Sequence, residues 1–324
     1  MTGSFSVAMC TYNGERFVEE QLASIAAQTL LPEELVVCDD VSSDETARIV
    51  ESFATDAPFP VRLHVNATNL GSTRNFERAV GLCAGALIAL CDQDDVWVPR
   101  KLERLAAEFA RRPEVGLVFS DAELIDELSR PTGRKLWESI GFRNKEQKRL
   151  TGIDAFRDLL TGSTVTGATT AFRARFRSLV LPIPEELALI HDGWLALLVG
   201  AVAGISFIAE PLVKYRQHGG QQVGPLARKD PGRGVSDALQ RANPYVETLA
   251  IARSVRQRLL DKHDTFDVGK TLPDLEARIA HLEARASLPK GHLQRSQRVL
   301  RELLTSRYHL YSNGVYSAIK DLLA

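Results

Sequence analysis

The chain has 324 residues, 44% of them hydrophobic and 25% charged, which suits one large domain or a domain with an appendage. Its formal net charge of -1 argues against general nucleic-acid binding, because such domains are usually strongly basic. The first residues lack the basic start and apolar run of a signal peptide. The longest apolar patch, Leu195–Ile208, is shorter than the ~20 residues that span a bilayer. We therefore expect a cytoplasmic protein whose membrane contact is at most peripheral.

Four cysteines lie in or beside apolar segments, without the spacing of a metal site. They are Cys10, Cys38, Cys83 and Cys91. Free cysteines in such settings usually behave as small buried hydrophobes, and we expect this of all four, in a reducing compartment.

Strands and helices alternate over the first 120 residues. The apolar pattern predicts strands at 5–10, 35–38, 61–65, 86–91 and 115–119. It predicts helices at 15–29, 46–53 and 75–83, and Pro99 opens another in its favoured position. This alternation indicates an α/β fold with a mostly parallel central sheet that helices cover on both faces.

The alternation ends near residue 150. Helices are predicted at 153–160 and 191–202, a segment rich in small residues at 165–172, and a strand at 212–216 that leads to His218. Beyond residue 225 the chain reads as helical, with breaks at 231–232, 269 and 289–291. We therefore predict two regions, residues 1–224 and a helical C-terminal region of residues 225–324.

Three polar clusters follow three of the predicted strands, at 11–13, 39–40 and 92–95. In parallel sheets, ligands bind beyond the carboxyl ends of the strands, so these clusters should lie together at one edge. Asp92 and Asp94 offer the hard oxygen ligands that Mg²⁺ and Mn²⁺ prefer. The alternative is a solvated turn with capping aspartates before Pro99, and placement after a fully apolar strand weighs against it.

The pair Asp39 and Asp40 is followed by Asp44, which could simply cap the helix that begins near Glu45. Capping does not explain the pair itself, whose charges repel those of the other carboxylates. A cation or a hydrogen-bonding ligand would relieve that repulsion.

An ordered set of motifs now becomes recognisable: Thr11–Glu15, Gln28–Thr29, Asp39–Asp40, Ser42–Thr46, Asn69–Gly71, Arg74–Asn75 and Asp92–Trp97. Together they resemble glycosyltransferase family 2, with its GT-A fold that binds nucleoside-diphosphate sugars. The resemblance covers roughly the first 220 residues. Each motif alone is weak, and the ordered set is specific.

The resemblance implies roles for particular residues. Contacts to the nucleotide are carried over to Thr11, Tyr12, Asn13, Glu15, Asp40 and Arg74. Asp92 and Asp94 match the family's Asp-x-Asp element, with Asp94 as the direct ligand of Mg²⁺ or Mn²⁺. Residues 1–224 would then be the nucleotide-sugar-binding and catalytic domain.

The later motifs resemble the rhamnosyltransferase-like branch of the family. Val165–Thr169 is similar to its donor-sugar and acceptor segment, Asp192 to its catalytic base, and His218 to a histidine that approaches the metal or diphosphate. Gly193 departs from the bulkier residue of many relatives, which leaves the acceptor pocket's shape open. The Gln-x-x-Arg-Trp motif of processive synthases is absent from the sequence, which favours single additions.

These late residues also have plainer interpretations. Asp192 could cap a helix, His218 could be an ordinary loop histidine, and Arg216 could only pair with a carboxylate. Trp97 and Trp194 could be core aromatic residues with a hydrogen-bonded edge.

The function expected from the resemblance is inverting sugar transfer from a dTDP- or UDP-linked donor to a hydroxyl of a glycan or lipid-linked acceptor in cell-surface polysaccharide synthesis. Rhamnose is the favoured sugar. A catalytically silent nucleotide-sugar or glycan-binding protein is the alternative. A nucleotidyltransferase would usually carry a Gly-rich basic loop after the first strand, where this chain has Thr11–Glu15.

The last forty residues are rich in basic side chains: Arg285, Lys290, Arg295, Arg298, Arg301, Arg307 and Lys320 stand against Glu302 and Asp321. Two interpretations stay open, a peripheral membrane surface and a packing or homodimer element whose charges face water. The second is slightly favoured.

Overall fold

The computed structural model of the chain describes residues 4–150, 155–161, 164–187, 189–219 and 245–323. A nine-stranded sheet forms the centre of this described part. Its strands are β1 (Phe5–Thr11), β2 (Glu34–Asp39), β3 (Val61–Val65), β4 (Leu87–Cys91), β5 (Val96–Trp97), β6 (Val115–Ile125), β7 (Pro131–Lys135), β8 (Thr170–Arg173) and β9 (Gly204–Arg216).

Helices flank the sheet and then form the C-terminal region. They are α1 (Val18–Ala26), α2 (Thr46–Asp56), α3 (Ser72–Leu82), α4 (Lys101–Arg111), α5 (Leu136–Ile140), α6 (Asn144–Leu150), α7 (Ala155–Thr161), α8 (Arg177–Val180), α9 (His191–Val202), α10 (Val246–Asp261), α11 (Leu272–Ala286), α12 (His292–Leu304), α13 (Arg307–Tyr311) and α14 (Val315–Leu323). This arrangement confirms the predicted α/β class and the C-terminal helices.

The strand order is β3-β2-β1-β4-β8-β6-β9-β5, with β7 beside β6. The strands β3, β2, β1 and β4 are parallel, as the early alternation predicted. The sheet as a whole is mixed, because β8 runs antiparallel to both of its neighbours, β4 and β6. The carboxyl ends of β1, β2 and β4 therefore share one edge, and this edge carries the predicted polar clusters.

Burial explains why the central strands read as apolar runs. Every residue of β1, β2 and β4 is buried, as expected of parallel strands covered on both faces. The four cysteines are buried and free, as expected. Among the described residues, no helix combines the length and apolar character needed to cross a bilayer.

Two strands are longer than the sequence pattern predicted. β6 continues past Phe119 to Ile125, although the sequence pattern predicted its end before the polar Ser120 and Asp121. Both side chains are buried, and the Asp121 carboxylate accepts the backbone N–H groups of Ala122 at 2.8 Å and Trp137 at 3.1 Å. β9 likewise begins at Gly204 rather than at residue 212 and pairs in parallel along β6.

The C-terminal helices pack in two groups. Leu249, Val255, Leu259 and Leu275 of α10 and α11 belong to the same apolar core as the sheet. The last three helices form a second, small core that includes Val299 and packs against α11. The predicted division at residue 224 lies outside the described residues.

Candidate active site

The loops after β1 and β4 are joined by the side chain of Gln93. Its Oε1 accepts the N–H of Tyr12 at 2.8 Å, and its Nε2 donates to the carbonyl of Tyr12 at 3.0 Å. A Cβ at Gly14 would overlap this amide, so a larger residue there would displace the Gln93 side chain. The Tyr12 ring itself remains about half exposed at the edge of the sheet.

Asp39, the last residue of β2, holds the loop after β1 in place through hydrogen bonds. Its Oδ2 accepts the hydroxyls of Thr11 at 2.8 Å and Ser42 at 2.6 Å. The Ser42 hydroxyl in turn accepts the N–H of Asn13 at 2.9 Å, and Asn13 adopts a positive φ of 47°. Asn13 and Thr11 are thus held by side chains that follow β2.

Asp40 holds a second loop, residues 66–71. One carboxylate oxygen accepts the side-chain amide of Asn66 and the N–H of Leu70, both at 2.7 Å. The other accepts the N–H of Gly71 at 2.8 Å. A carboxylate accepts up to about four hydrogen bonds, so this arrangement leaves room for a ligand that donates one.

Glu15 and Asp44 tie the β1 loop to the start of α2. The N–H of Glu15 donates to Asp44 at 3.1 Å, and the Glu15 carboxylate accepts the N–H of Glu45 at 3.0 Å. Asp44 also accepts the N–H of Thr46, the first residue of α2, at 3.1 Å. Asp44 therefore satisfies an N-terminal helix donor, although the N-cap position of α2 is Glu45 rather than Asp44.

Carboxylates from two distant segments meet at the centre of the site. Burial, together with the negative charges of Asp94 and Asp192, raises the pKa of Asp92 to about 7. Burial, with Asp94 and Asp92 nearby, also raises the pKa of Asp95. Asp192 follows these residues by about a hundred positions, so the fold brings the predicted base to the predicted Asp-x-Asp element.

Asp94 is paired with His218. The Asp94 Oδ2 and the His218 Nε2 lie 2.7 Å apart, although the two residues are 124 positions apart in the sequence. The imidazole also packs against the ring of Phe17, with centroids 5.0 Å apart. His218 is therefore not an ordinary loop histidine but part of the acidic cluster.

Arg216 is almost fully buried beneath this pair. Its Nε donates to the carbonyl of Asp94 at 2.6 Å, and its Nη2 pairs with Glu20 at 2.6 Å. A third group, Nη1, donates to the Ser129 hydroxyl at 2.8 Å. Arg216 does pair with a carboxylate, as its plainer interpretation held, and it also fixes the backbone that carries Asp94.

Asp192 lies in the first turn of α9, with its carboxylate oriented by two backbone donors. Oδ2 accepts the N–H of Gly167 at 2.9 Å, and Oδ1 accepts that of Gly193 at 2.6 Å. Since α9 begins at His191, Asp192 is a first-turn residue rather than the N-cap. The segment at 165–169 and Asp192 are thus in direct contact.

His191 is a buried residue whose own role the sequence did not single out. Its ring stacks on Phe76 with centroids 4.0 Å apart, and both ring nitrogens are buried without a hydrogen-bond partner in the described chain. Burial lowers the pKa of this imidazole, although the charge of Asp192 raises it. Burying unpaired nitrogens is costly, and both atoms are enclosed by the protein beside Asp192.

Arg74 is paired with two glutamates that do not belong to the group of Asp92, Asp94 and Asp192. Its guanidinium pairs with Glu77 at 2.8 Å and donates from Nε to Glu185 at 2.7 Å. Together with Pro182 and Arg258 it lines a shallow cleft. Contact between Arg74 and a nucleotide stays a prediction, and it would have to compete with both carboxylates.

Lys101 is a site residue that the sequence did not reveal. Its side chain is fully buried, Nζ donates to the carbonyl of Ala168 at 2.7 Å, and the amine lies 3.5 Å from the ring centroid of Trp97. Burial lowers its pKa to about 7, while Cys91, Asp95 and Asp92 act in the opposite direction. In the sequence it looks like any lysine at the start of an amphipathic helix.

The tryptophans match their plainer interpretation. Trp97 and Trp194 are both buried in the core, and the Trp194 indole N–H donates to the carbonyl of Val180 at 2.8 Å.

The donor set suits a hard divalent cation. Asp94 and His218 present an oxygen and a nitrogen 2.7 Å apart, close to the roughly 3 Å between adjacent ligands of an octahedral ion with bonds of about 2.1 Å. No group of three His, Cys, Asp or Glu side chains is arranged around one point in the described segments. Mg²⁺ commonly takes one or two carboxylates together with substrate phosphates, so a site with few protein ligands fits it.

Comparisons with known proteins agree with this geometry. The family model described as "Glycosyl transferase family 2" matches residues 6–180, more than half of the chain. An uncharacterized protein of Mycobacterium tuberculosis (strain ATCC 25618 / H37Rv) is 30% identical over 218 residues. The match covers 66% of this chain and 58% of the relative, so the chain spans less than two thirds of that protein's length.

Two further likenesses are informative. The Escherichia coli protein named UDP-Glc:alpha-D-GlcNAc-diphosphoundecaprenol beta-1,3-glucosyltransferase is 30% identical over 121 residues, 37% of this chain and 46% of its own length. The crystal structure of S. aureus TarS 1-349 in complex with UDP-GlcNAc superposes with a TM-score of 0.58 at 19% identity, covering 93% of this chain and 80% of that chain. This structural likeness confirms the expected GT-A fold, and the match of the family model shows that the chain belongs to glycosyl transferase family 2.

Proposed function

We propose that this protein is an inverting glycosyltransferase that adds single sugars from a nucleoside-diphosphate donor to a hydroxyl of a glycan or lipid-linked acceptor, on the cytoplasmic side of cell-surface polysaccharide synthesis. The observation that carries the proposal is the Asp94–His218 pair at the edge of the sheet, with Asp192 held by the turn at Gly167 and near enough to Asp92 for its charge to raise the pKa of that residue. A base and a cation-binding pair are the two elements that transfer from a diphosphate donor needs. Residues 1–224 would form the catalytic domain and residues 225–324 its helical extension.

The donor nucleotide would bind over the ends of β1 and β2. The exposed ring of Tyr12 is available for stacking, Asp40 for a ribose or base donor, and Thr11, Asn13 and Glu15 shape the floor. A dTDP- or UDP-linked donor is supported by relatives whose names specify them, the Escherichia coli UDP-Glc enzyme and a Shigella flexneri dTDP-rhamnosyl transferase. Rhamnose is the sugar that we propose first.

The diphosphate would lie over the acidic cluster, where carboxylates alone would repel it. Mg²⁺ or Mn²⁺ held by Asp94 and His218, with Asp92 beside them, would supply neutralisation of charge on the leaving group. Asp192, oriented by the N–H groups of Gly167 and Gly193, would accept the proton of the acceptor hydroxyl as that oxygen attacks the anomeric carbon. A single displacement of this kind inverts the anomeric configuration.

The substitution Asp192→Asn tests the base. It should lower the rate of sugar transfer about 10²–10⁴-fold, the usual contribution of general-base catalysis, while the affinity for donor measured by calorimetry stays unchanged. The exposed Asp56 at the end of α2 provides the control, since Asp56→Asn should keep wild-type turnover. Wild-type turnover in the Asp192→Asn protein would refute the assignment.

Donor recognition is tested first by thermal shift with UDP, dTDP, GDP and CDP, each with and without Mn²⁺ or Mg²⁺. A nucleotide at 100 times its dissociation constant should stabilise the protein by about 2.7 kcal/mol. A metal-dependent shift with one nucleotide would identify the donor class. Binding without transfer or donor hydrolysis would instead support the alternative, a silent nucleotide-sugar-binding protein.

A further inference from the structure

The last three helices turn apolar side chains toward solvent. On α12, Leu293, Leu300 and Leu304 are 74%, 56% and 78% exposed. Their spacings of seven and four residues place them in one row along the helix. On α14, Tyr316 and Leu323 are 73% and 82% exposed, and Val315, Ile319 and Leu322 accompany them. We call these eight side chains the terminal apolar face.

The buried side of the same helices carries charged groups beside its small apolar core. Asp321 of α14 is 5% exposed, and its carboxylate accepts Arg285 Nε at 2.6 Å and the hydroxyl of Tyr308 at 2.7 Å. Glu302 of α12 is equally buried, 2.7 Å from Nδ1 of His281. Rotating either helix to bury its leucines would break these ion pairs in a low-dielectric setting, which is strongly unfavourable. The outward direction of the apolar face is therefore fixed by the interior.

The exposed charges on the helices that carry the terminal apolar face are all of one sign. In residues 288–323, every one of which is described, the exposed charged side chains are the cations Lys290, Arg298, Arg301 and Lys320. The two acidic residues of the stretch are the buried Glu302 and Asp321. Helices that combine an exposed apolar face with exposed charges that are all cations have the composition of helices that lie in the headgroup layer of anionic membranes.

Charge decides between the two candidate occupants of this face. In a twofold dimer the same patch would meet itself, and its cations would face identical cations with no exposed acid of the patch to neutralise them. An anionic bilayer accepts both components, because its acyl boundary covers the leucines and its phosphates attract the cations. The exposed Tyr316 suits the interfacial layer, where tyrosine is enriched.

We propose that the terminal apolar face, with its surrounding cations, docks the protein on an anionic lipid surface, with α12 and α14 lying in the plane of the headgroups. This inference does not depend on the proposed sugar transfer, because docking requires neither donor nor acceptor. It concerns where the protein binds and leaves the chemistry of the site untouched.

The test is co-sedimentation of the full chain with two kinds of vesicle, phosphatidylcholine alone and phosphatidylcholine with about 30 mol% phosphatidylglycerol. That anionic content is about enough to give a strong surface potential. Binding is expected to the anionic vesicles and to fall steeply as salt is raised. Each cation near an anionic surface contributes roughly a fivefold factor, so Lys290→Gln with Arg301→Gln and Lys320→Gln should weaken partitioning about 100-fold. Failure of the unmodified protein to bind anionic vesicles at low salt would overturn the proposal.

Two matched controls separate docking from general charge or stickiness. Arg134, Arg143 and Lys145 are exposed cations on other elements, and their combined change to Gln should leave partitioning near wild type. Leu300→Ser with Leu304→Ser and Leu323→Ser should abolish binding, whereas Leu31→Ser with Leu128→Ser and Val246→Ser, also at exposed positions, should not. Equal losses in test and control variants would overturn the proposal.

A dimer is the remaining outcome to exclude. If light scattering shows the wild-type chain to be a dimer and the three-leucine variant a folded monomer, with vesicle binding unchanged, the face is a protein interface and the proposal is wrong.

Discussion

Lys101 is a fully buried side chain that supports the candidate site from inside the protein. Its amine holds the carbonyl of Ala168, in the same short turn whose Gly167 N–H orients Asp192. It also lies close enough to Asp92 and Asp95 for their charges to oppose the lowering of its pKa by burial. Lys101 therefore links the acidic cluster to the turn that positions the proposed base.

The substitution Lys101→Met measures this contribution. Methionine fills similar space without donating a hydrogen bond, and it leaves the Ala168 carbonyl buried and unpaired. Losing one buried partner costs about 1–3 kcal/mol, so the free energy of unfolding in urea should fall by that amount. The neighbouring Arg100 is exposed, and Arg100→Met should leave the unfolding midpoint nearly unchanged. Equal midpoints for all three proteins would show that the amine is not needed.

Single residues also show what the sequence could and could not predict. The polar clusters after β1, β2 and β4 were expected at one edge because parallel strands end together, and they lie there. The pairing of Asp94 with His218 needed the family resemblance, since no local pattern joins residues 124 positions apart. Lys101 was missed because amphipathic periodicity places a lysine on the exposed side of a helix. In the structure its amine is buried and contacts the carbonyl of Ala168 and the ring of Trp97.

Among the elements, β6 and β9 also extend beyond what the sequence pattern predicted. The prediction ended β6 at Phe119 because polar residues follow, but Asp121 is buried and satisfied by backbone donors. Strand propensity and hydrophobic periodicity cannot reveal that hydrogen bonds in the folded protein will satisfy a buried carboxylate. Strands β5 and β7, of two and five residues, were missed because they are short edge segments whose pairing with β9 and β6 is set by tertiary context.

The packing of β6 against α9 leaves no space at Gly116. A Cβ there would lie 2.6 Å from Val199, 2.7 Å from Phe176 and 2.9 Å from Ala203. Gly116→Ala should therefore overpack the core and lower the free energy of unfolding by about 1–3 kcal/mol.

Gly81 in α3 provides the opposite case and the control. Its Cβ would meet only Leu181, at 3.9 Å. Because alanine favours a helix over glycine, Gly81→Ala should raise the free energy of unfolding by up to about 1 kcal/mol. Chemical denaturation of both variants checks the pair, and the same sign of change in both would contradict the packing described for β6.

At the scale of the whole molecule, α9 lies between the sheet and the C-terminal helices. It is apolar nearly all round, as expected of a helix covered on several sides. Arg258 of α10 donates to the carbonyls of Leu179 at 2.8 Å and Pro182 at 2.6 Å, and Thr271 donates to that of Ala201. The helices α10 and α11 are thus part of the main body, and α12–α14 attach to them through buried polar groups.

His281 makes this attachment sensitive to pH. Burial lowers its pKa, although the hydrogen bond to Glu302 raises it. An unfolded histidine has a pKa of about 6.5, so below that pH the unfolded chain takes up a proton that the folded chain resists. The stability contributed by neutral, buried His281 is therefore complete above about pH 7 and is lost as the pH falls toward the folded-state pKa.

The expected result is a difference in free energy of unfolding between wild type and His281→Asn that is larger at pH 7.5 than at pH 5.5, values chosen on either side of ~6.5. Urea denaturation at the two pH values measures it. The exposed His292 serves as control for the loss of an imidazole at the surface, as the variant His292→Asn. A larger difference at the acidic pH would refute the sign of this argument.

The position of β8 and β9 in the chain has a consequence for biosynthesis. The strand β6 is complete once residue 125 has been made, and the short β7 beside its end follows directly, but its two neighbours in the main strand order, β8 and β9, end at residues 173 and 216. At about 5–20 residues per second, the second neighbour follows roughly 5–20 s later. During that interval the edge of this eleven-residue strand that pairs with β9, including its apolar first half at 115–119, has unpaired backbone groups, the property that favours aggregation. We therefore expect the ribosome-bound chain to be a chaperone client while residues 126–216 are being translated.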